Sequence, residues 1–274
     1  MNKIHNLTVL AMAMAIAGSA SAATVNEFRF QNPDSPITAT QFKFKFDDSW
    51  YSNDLLTTES HTNSNPPPVD LGPGKEVNLV TLAPSTGVPY HYHDGDQNDT
   101  YYAVYRQPNS AVIGYLDSAD GSTGGNYFVK NIVGNVTPLS ALPTSGTYTY
   151  TGSTLWHHVD SEGTFTYNIN FATKQGWGRV EGLKMHWDLL GQTQNLSIEG
   201  NLATATIALQ SDGTVGVKNG SVTNFTTNNV WGNLQLLGVS PKYDLAIFGP
   251  NAEEVAGRVT INNQYGSFGI AGAR

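Results

Sequence analysis

The hydrophobic and polar positions along this chain alternate with a period of two. Phe28-Arg29-Phe30, Phe42-Lys43-Phe44-Lys45-Phe46 and, most strongly, Thr164-Phe165-Thr166-Tyr167-Asn168-Ile169-Asn170-Phe171 each set their apolar side chains on one face of an extended backbone. Further strands are expected at Val77–Leu82, Tyr101–Tyr105, Ala111–Leu116, Tyr127–Val133, Trp177–Leu183, Asn195–Gln210, Thr214–Thr227, Trp231–Leu237, Tyr243–Phe248, Glu254–Asn262 and Ser267–Gly272. Asp47–Val69, which ends in Pro66-Pro67-Pro68, and Pro84–Asp99 read as long loops. Leu183–Leu190 is open to two readings, a helical turn or a strand that carries Trp187 onward. No segment has a sustained helical period, so the fold class is all-β. Glycine recurs within the later strands at Gly200, Gly216, Gly232 and Gly257, where a small closed barrel needs bends.

The N-terminus changes this picture first. Lys3, an apolar run from Leu7 to Ala17 and then Ala20-Ser21-Ala22 predict a secretory signal peptide over residues 1–22, with a mature chain from Ala23. The run is too short to span a bilayer. There is no cysteine, which excludes disulfides, thiolate metal sites and covalent haem attachment of the c type. The formal net charge is −8, and loss of the signal removes Lys3 and no acid. An acidic chain without a basic cluster argues against nucleic acid and against anionic membrane surfaces.

Enzyme templates are missing: no Gly-x-Ser-x-Gly elbow, no His-Glu-x-x-His, no P-loop and no dinucleotide fingerprint. The expectation is a binding protein rather than an enzyme. The densest candidate chemistry is His91-Tyr92-His93, with Tyr90, Tyr101, Tyr102, Tyr105 and Arg106 close in sequence. A haem needs a neutral imidazole on iron, flat aromatic walls and a cation for its propionates, and this stretch supplies all three. By themselves the residues leave two readings open: haem ligands, or solvated histidines beside tyrosines that pack a strand. His61 lies in the other long loop and is open to the same two readings. Trp156-His157-His158 and His186-Trp187 read as packing, and Met185 as a minor candidate thioether ligand. Asp94-Gly95-Asp96-Gln97-Asn98-Asp99 opens like a calcium loop but has Asp99 where glycine is needed and Tyr105 where glutamate is needed. With His91 and His93 those carboxylates form an alternative nitrogen/oxygen site for a bare transition metal.

Two strings carry a family resemblance. Phe248-Gly249-Pro250-Asn251-Ala252-Glu253-Glu254-Val255-Ala256-Gly257 closely resembles the corner near the end of the β-barrel of transferrin-binding protein B and its relatives. Leu142-Pro143-Thr144-Ser145-Gly146-Thr147-Tyr148-Thr149-Tyr150-Thr151-Gly152, followed by a Phe-rich strand, resembles the opening of the same barrel. That family includes the secreted haemophores called hemophilins. The resemblance covers roughly Pro138–Arg274. It implies an N-terminal β-rich ligand-binding domain over 23–137 and a roughly eight-stranded antiparallel β-barrel over 138–274. It further implies non-covalent haem b held through His91 or His93, with His61 as the opposite ligand and Tyr92, Tyr101, Tyr102 and Arg106 around it.

The implied partners are a dedicated outer-membrane secretor that recognises the barrel, a TonB-dependent haem receptor, and a host haem protein as source. The implied location is extracellular, reached through the periplasm of a Gram-negative bacterium. Lacking the lipid-bearing cysteine of transferrin-binding protein B, the chain is expected to have no membrane anchor. The rivals are a binder of a bare transition metal or of another tetrapyrrole such as cobalamin, and a surface protein that grips a host protein. In the corner itself, Asn251 is expected to cap one helical turn, with Glu253 and Glu254 exposed as turn residues or secretor contacts.

Overall fold

The computed structural model describes residues 29–31, 43–45, 56–58, 76–78, 83–87, 89–94, 100–117, 127–156, 161–189, 192–229, 232–234, 239–262 and 266–274. The signal segment, His61, His157 and His158 lie outside the described residues. The strands before the barrel are β1 (Arg29–Gln31), β2 (Lys43–Lys45), β3 (Leu56–Thr58), β4 (Glu76–Asn78), β5 (Tyr90–Asp94), β6 (Thr100–Arg106), β7 (Ser110–Asp117) and β8 (Tyr127–Gly134). Six of them form one sheet in the order β1-β8-β7-β6-β5-β3, antiparallel except for the parallel β1–β8 pair, while β2 and β4 pair separately. Two expected loops therefore contain strands. β3 interrupts the first, and the His91–His93 segment of the second is β5, because its alternating Tyr and His residues pair in register with β6.

The second half is a closed barrel of eight antiparallel strands: β9 (Thr147–Leu155), β10 (Gly163–Asn170), β11 (Gln175–Leu189), β12 (Gln192–Thr206), β14 (Val215–Asn229), β16 (Lys242–Phe248), β17 (Glu254–Asn262) and β18 (Gly266–Ala273). Two short strands, β13 (Ala208–Leu209) and β15 (Gly232–Leu234), pair with β14. The β12–β14 and β18–β9 pairings close the ring, which satisfies the edge hydrogen bonds that an open sheet would leave unmet. β11 runs unbroken to Leu189, so the helical-turn alternative for Leu183–Leu190 falls: its backbone groups are taken by the ladder with β12.

Alternation read in the sequence becomes the barrel interior. Phe165, Tyr167, Ile169 and Phe171 are all buried, together with Tyr150, Val217, Tyr243, Leu245, Ile247, Val259, Phe268 and Ile270. Each large apolar side chain withdrawn from water in this way contributes about 1.5–3 kcal/mol against the entropy of ordering the chain. Tyr167 and Tyr243 cross the interior edge to face with ring centroids 6.1 Å apart, and Tyr243 Oη donates to Ala203 O at 2.9 Å. Their polar ends are thus satisfied where no water is needed.

β18 breaks the alternation because it is covered on both sides. Phe268 and Ile270 point inward; Ser267, Gly269 and Ala271 form an outer strip on which β7 and β8 lie. A Cβ at Gly269 would come within 2.7 Å of Val112 Cγ1, so the sheet docks at a distance only glycine permits. Ala103, Tyr105, Val112, Val129 and Ile132 from the sheet share one continuous core with the barrel.

Candidate functional site

The corner Phe248–Gly257 is where the two halves of the chain meet. Ala246, Ile247 and Phe248 close β16 inside the core, and the backbone reverses at Gly249, whose φ of +91° is a left-handed conformation suited to glycine. Ala252 N donates to Gly249 O at 3.3 Å, giving a tight turn and not the expected helical turn. Asn251 caps nothing; its backbone N and its Nδ2 both donate to the Glu253 carboxylate, at 2.8 and 2.7 Å. Tyr150 Oη donates to Ala252 O at 2.8 Å, and the Arg274 guanidinium sits 4.2 Å above the Tyr148 ring while bonding the carbonyls of Asn251 and Ala252. Tyr148 and Tyr150 belong to the Gly146–Gly152 string, so the two family-like strings of the sequence touch in space.

Glu254 departs most from expectation. It is 1 % exposed rather than a surface residue, because β17 lies beneath the β6–β7 turn. Oε1 accepts from Asn109 N at 2.8 Å and from Asn109 Nδ2 at 2.9 Å, and Oε2 accepts from Ser110 Oγ at 2.8 Å. Gln107 Nε2 extends the cluster by donating to Ser110 Oγ at 2.8 Å and to Val255 O at 3.2 Å. Burial raises the Glu254 carboxyl above its usual range, and the bonds from Ser110 and Asn109 with the charge of Arg106 only partly draw it back. Arg106 is lowered by the same burial and held up by the charge of Glu254 and then by Tyr90.

The connection from sheet to barrel runs alongside. Asn135 N donates to Asn109 O at 2.8 Å, Gly249 N to Asn135 O at 2.7 Å, and Thr137 Oγ1 to Gly249 O at 2.6 Å. On the far side Ser153 Oγ reaches Gly87 O at 2.9 Å and Val129 N reaches Ser267 Oγ at 2.9 Å. These bonds hold sheet and barrel as one body.

The sequence-predicted ligand set is partly gathered. Tyr92 is opposite Tyr102 and His93 opposite Tyr101 in the β5–β6 ladder, with His91 opposite Ala103. Arg106 ends β6 and is 8 % exposed, its charge set against Glu254 rather than presented to solvent. Among the described residues there is no group of three His, Cys, Asp or Glu side chains placed to hold a metal ion. The Glu254–Asn109–Ser110 contact was not legible in the sequence, since its partners lie about 145 positions apart.

Residues 140–259 match the family model described as factor H binding protein, C-terminal. The matched span begins in the connection and takes in β9 to most of β17, so it covers the barrel except its last strand, β18, and none of the preceding sheet. Intact Ap-TbpB (N and C lobes) is 14% identical over 75% of this chain and 41% of its own, with a TM-score of 0.41. A double mutant of the vaccine antigen transferrin-binding protein B from Haemophilus parasuis Hp5 is 15% identical over 75% and 39%, also at 0.41. A surface lipoprotein is 14% identical over 81% of this chain and 96% of its own, at 0.34. The chain spans about two fifths of the length of the transferrin-binding protein B chains it matches. The family description is that of a binding protein, and it is not specific to hemophilins.

Proposed function

We propose that this chain is a non-enzymatic binding protein that works at the outer surface of a Gram-negative cell and grips a host protein. The observation that carries this reading is the match of residues 140–259 to the family model of the factor H binding protein C-terminal domain, over all the barrel strands but the last. The continuous core between sheet and barrel supports it further, because a rigid body loses less freedom on gripping a partner than two loosely tethered parts would. Purified chain is titrated by surface plasmon resonance against purified factor H and purified transferrin, then against fractionated host plasma. Saturable binding to one host protein is expected. A correctly folded chain that retains none of them sinks the reading.

A second reading, haem capture, is favoured by the register that sets His91, Tyr92 and His93 beside Ala103, Tyr102 and Tyr101. Haem b would be held by His91 or His93, with Tyr101 on the same face of the sheet as a wall, whereas the register puts Tyr92 and Tyr102 on the other face; Arg106 would serve a propionate only in competition with Glu254. On this reading the barrel is recognised by an outer-membrane secretor and a TonB-dependent receptor takes the haem. Hemin added to the apo-protein should give a shifted, sharpened Soret band that disappears in the His91→Ala/His93→Ala double variant. A free-hemin spectrum at equal concentrations removes haem from consideration, and metal analysis of the purified chain tests a bare ion in its place.

A further inference from the structure

The barrel wall that runs on from β9, beyond the docked sheet, carries a second arrangement. Its outer wall runs across β9, β10, β11 and β12, and cross-strand register places its residues in rows. One row is Thr149, Asn168 and Trp177; its neighbours are Thr147, Asn170, Gln175 and Thr206, and Thr151, Thr166, Arg179 and Asn201. Directly opposed residues on a sheet face stand about 4.5–5.5 Å apart at Cβ, and successive rows about 7 Å apart, so these side chains form one contiguous surface.

Trp177 is placed here by construction. Gly176 and Gly178 flank it, and a Cβ on either would run into the ring of buried Tyr167. Opposite Trp177 the ladder is irregular: Gly176 pairs with Ala205 and Gly178 with Leu202, so Ala203 and Thr204 together face one residue. This bulge is fixed from inside, where Ala203 O accepts from Tyr243 Oη. Trp177 takes no part in the barrel core and is 37 % exposed.

The chemistry around the ring is neutral. Thr149 Oγ1 donates to Asn168 Oδ1 at 2.7 Å, and Gln175 Nε2 to Thr206 Oγ1 at 3.2 Å. Arg179 is spoken for by Glu181 at 2.7 Å and Glu199 at 3.5 Å. An exposed indole bordered by short amide and hydroxyl side chains matches a sugar, whose axial C–H groups pack on a π face while its hydroxyls exchange bonds with amides. A protein partner would find little apolar area beyond the one indole, and an ionic ligand would find no unpaired charge among these rows.

We propose that the outer wall of β9–β12 binds neutral glycan chains, with Trp177 as the stacking platform and Asn168, Gln175 and Thr206 as its hydrogen-bonding border. The proposal does not depend on which host protein is gripped, or whether one is. It is tested with the full chain by calorimetric titration of chitotriose, maltotriose and N-acetyllactosamine, using Trp177→Ala, Trp177→Phe and, as a control at another exposed apolar residue, Leu209→Ala. At least one sugar should bind saturably, with ~10-fold or greater loss in Trp177→Ala. Trp177→Phe should retain part of the affinity, Leu209→Ala all of it, and circular dichroism should be unchanged throughout. No saturable binding of any of the three sugars overturns the proposal, as does equal binding by Trp177→Ala. Loss of host-protein binding in Trp177→Ala without any sugar binding also overturns it, and makes the wall a protein-docking face.

Discussion

Replacing Glu254 tests the junction between sheet and barrel most sharply. Alanine there leaves Asn109 N, Asn109 Nδ2 and Ser110 Oγ without the acceptor they share. An abandoned buried donor costs about 1–3 kcal/mol. Ser110 is fully buried and bears the whole of that cost, while Asn109 is half-buried and recovers part of its own from water. The buried carboxylate's own desolvation is relieved, which offsets some of the loss. The net is about 3–4 kcal/mol, or a melting temperature lower by about 6–16 °C at about 2–4 °C per kcal/mol for a chain of this size. Glutamine should behave differently: its carbonyl still accepts from both Asn109 donors and no charge is buried, while its amide donates to Ser110 Oγ and leaves only the Ser110 hydroxyl proton without an acceptor. Glu254→Gln should therefore cost about 1–2 kcal/mol, less than alanine. Urea unfolding followed by circular dichroism gives both numbers, and hydrogen exchange should show β6–β8 losing protection first in Glu254→Ala. If alanine and glutamine cost the same, the hydrogen bonds are not what holds the junction; an alanine variant within about 0.5 kcal/mol of the parent would refute the reasoning outright.

Adjacent Glu253 and Glu254 should respond to pH with opposite signs. Burial pushes Glu253 up, but the bonds from Asn251 and the charge of Arg274 outweigh it and hold the carboxyl low, so its stabilisation is lost as pH falls through its folded value. Glu254 is raised, so the folded state holds its proton more tightly and loses stability as pH rises through its folded value. Stability profiles of Glu253→Gln and Glu254→Gln between neutral and acidic pH should diverge from the parent in opposite directions; a shared direction is the failing result. Gly269→Val should cost about 1–3 kcal/mol by overpacking against Val112, and Val112→Ala in the same chain should recover part of it. Tyr150→Phe should cost about 0.5–1.5 kcal/mol, the worth of one buried hydrogen bond, because Ala252 O keeps its bond from Arg274 Nε, measured by the same unfolding curves.

Where a strand has one wet face, the sequence already told which side chains point inward: Phe165, Tyr167, Ile169 and Phe171 needed only their alternation. β18 resisted that reading, since Gly266–Gly272 is covered on both faces and the sheet above it is not foreshadowed by any local pattern. β5 was hidden for another reason: Tyr90–Asp94 sits in a stretch rich in loop residues, and it becomes a strand through pairing with β6. The corner string identified the barrel, yet its buried carboxylate escaped notice because charge and turn context both suggest a surface. Trp177 looked like an ordinary strand aromatic; only the register and the Gly176/Gly178 bracket turn it outward. In each case the missing information was a tertiary partner, and propensity does not encode one.

The bonds from Asn109 and Ser110 to Glu254, and from Gln107 to Val255, span between 144 and 148 positions of chain, and the barrel itself is completed by pairing its first strand with its last. Nothing made early can therefore be finished early. As the polypeptide emerges from a ribosome or a translocation pore, β6–β8 must wait, with Val112, Val129 and Ile132 uncovered, until β17 and β18 arrive. Such a high contact order makes for slow acquisition of structure. Late completion keeps the chain extended until its last strands have emerged.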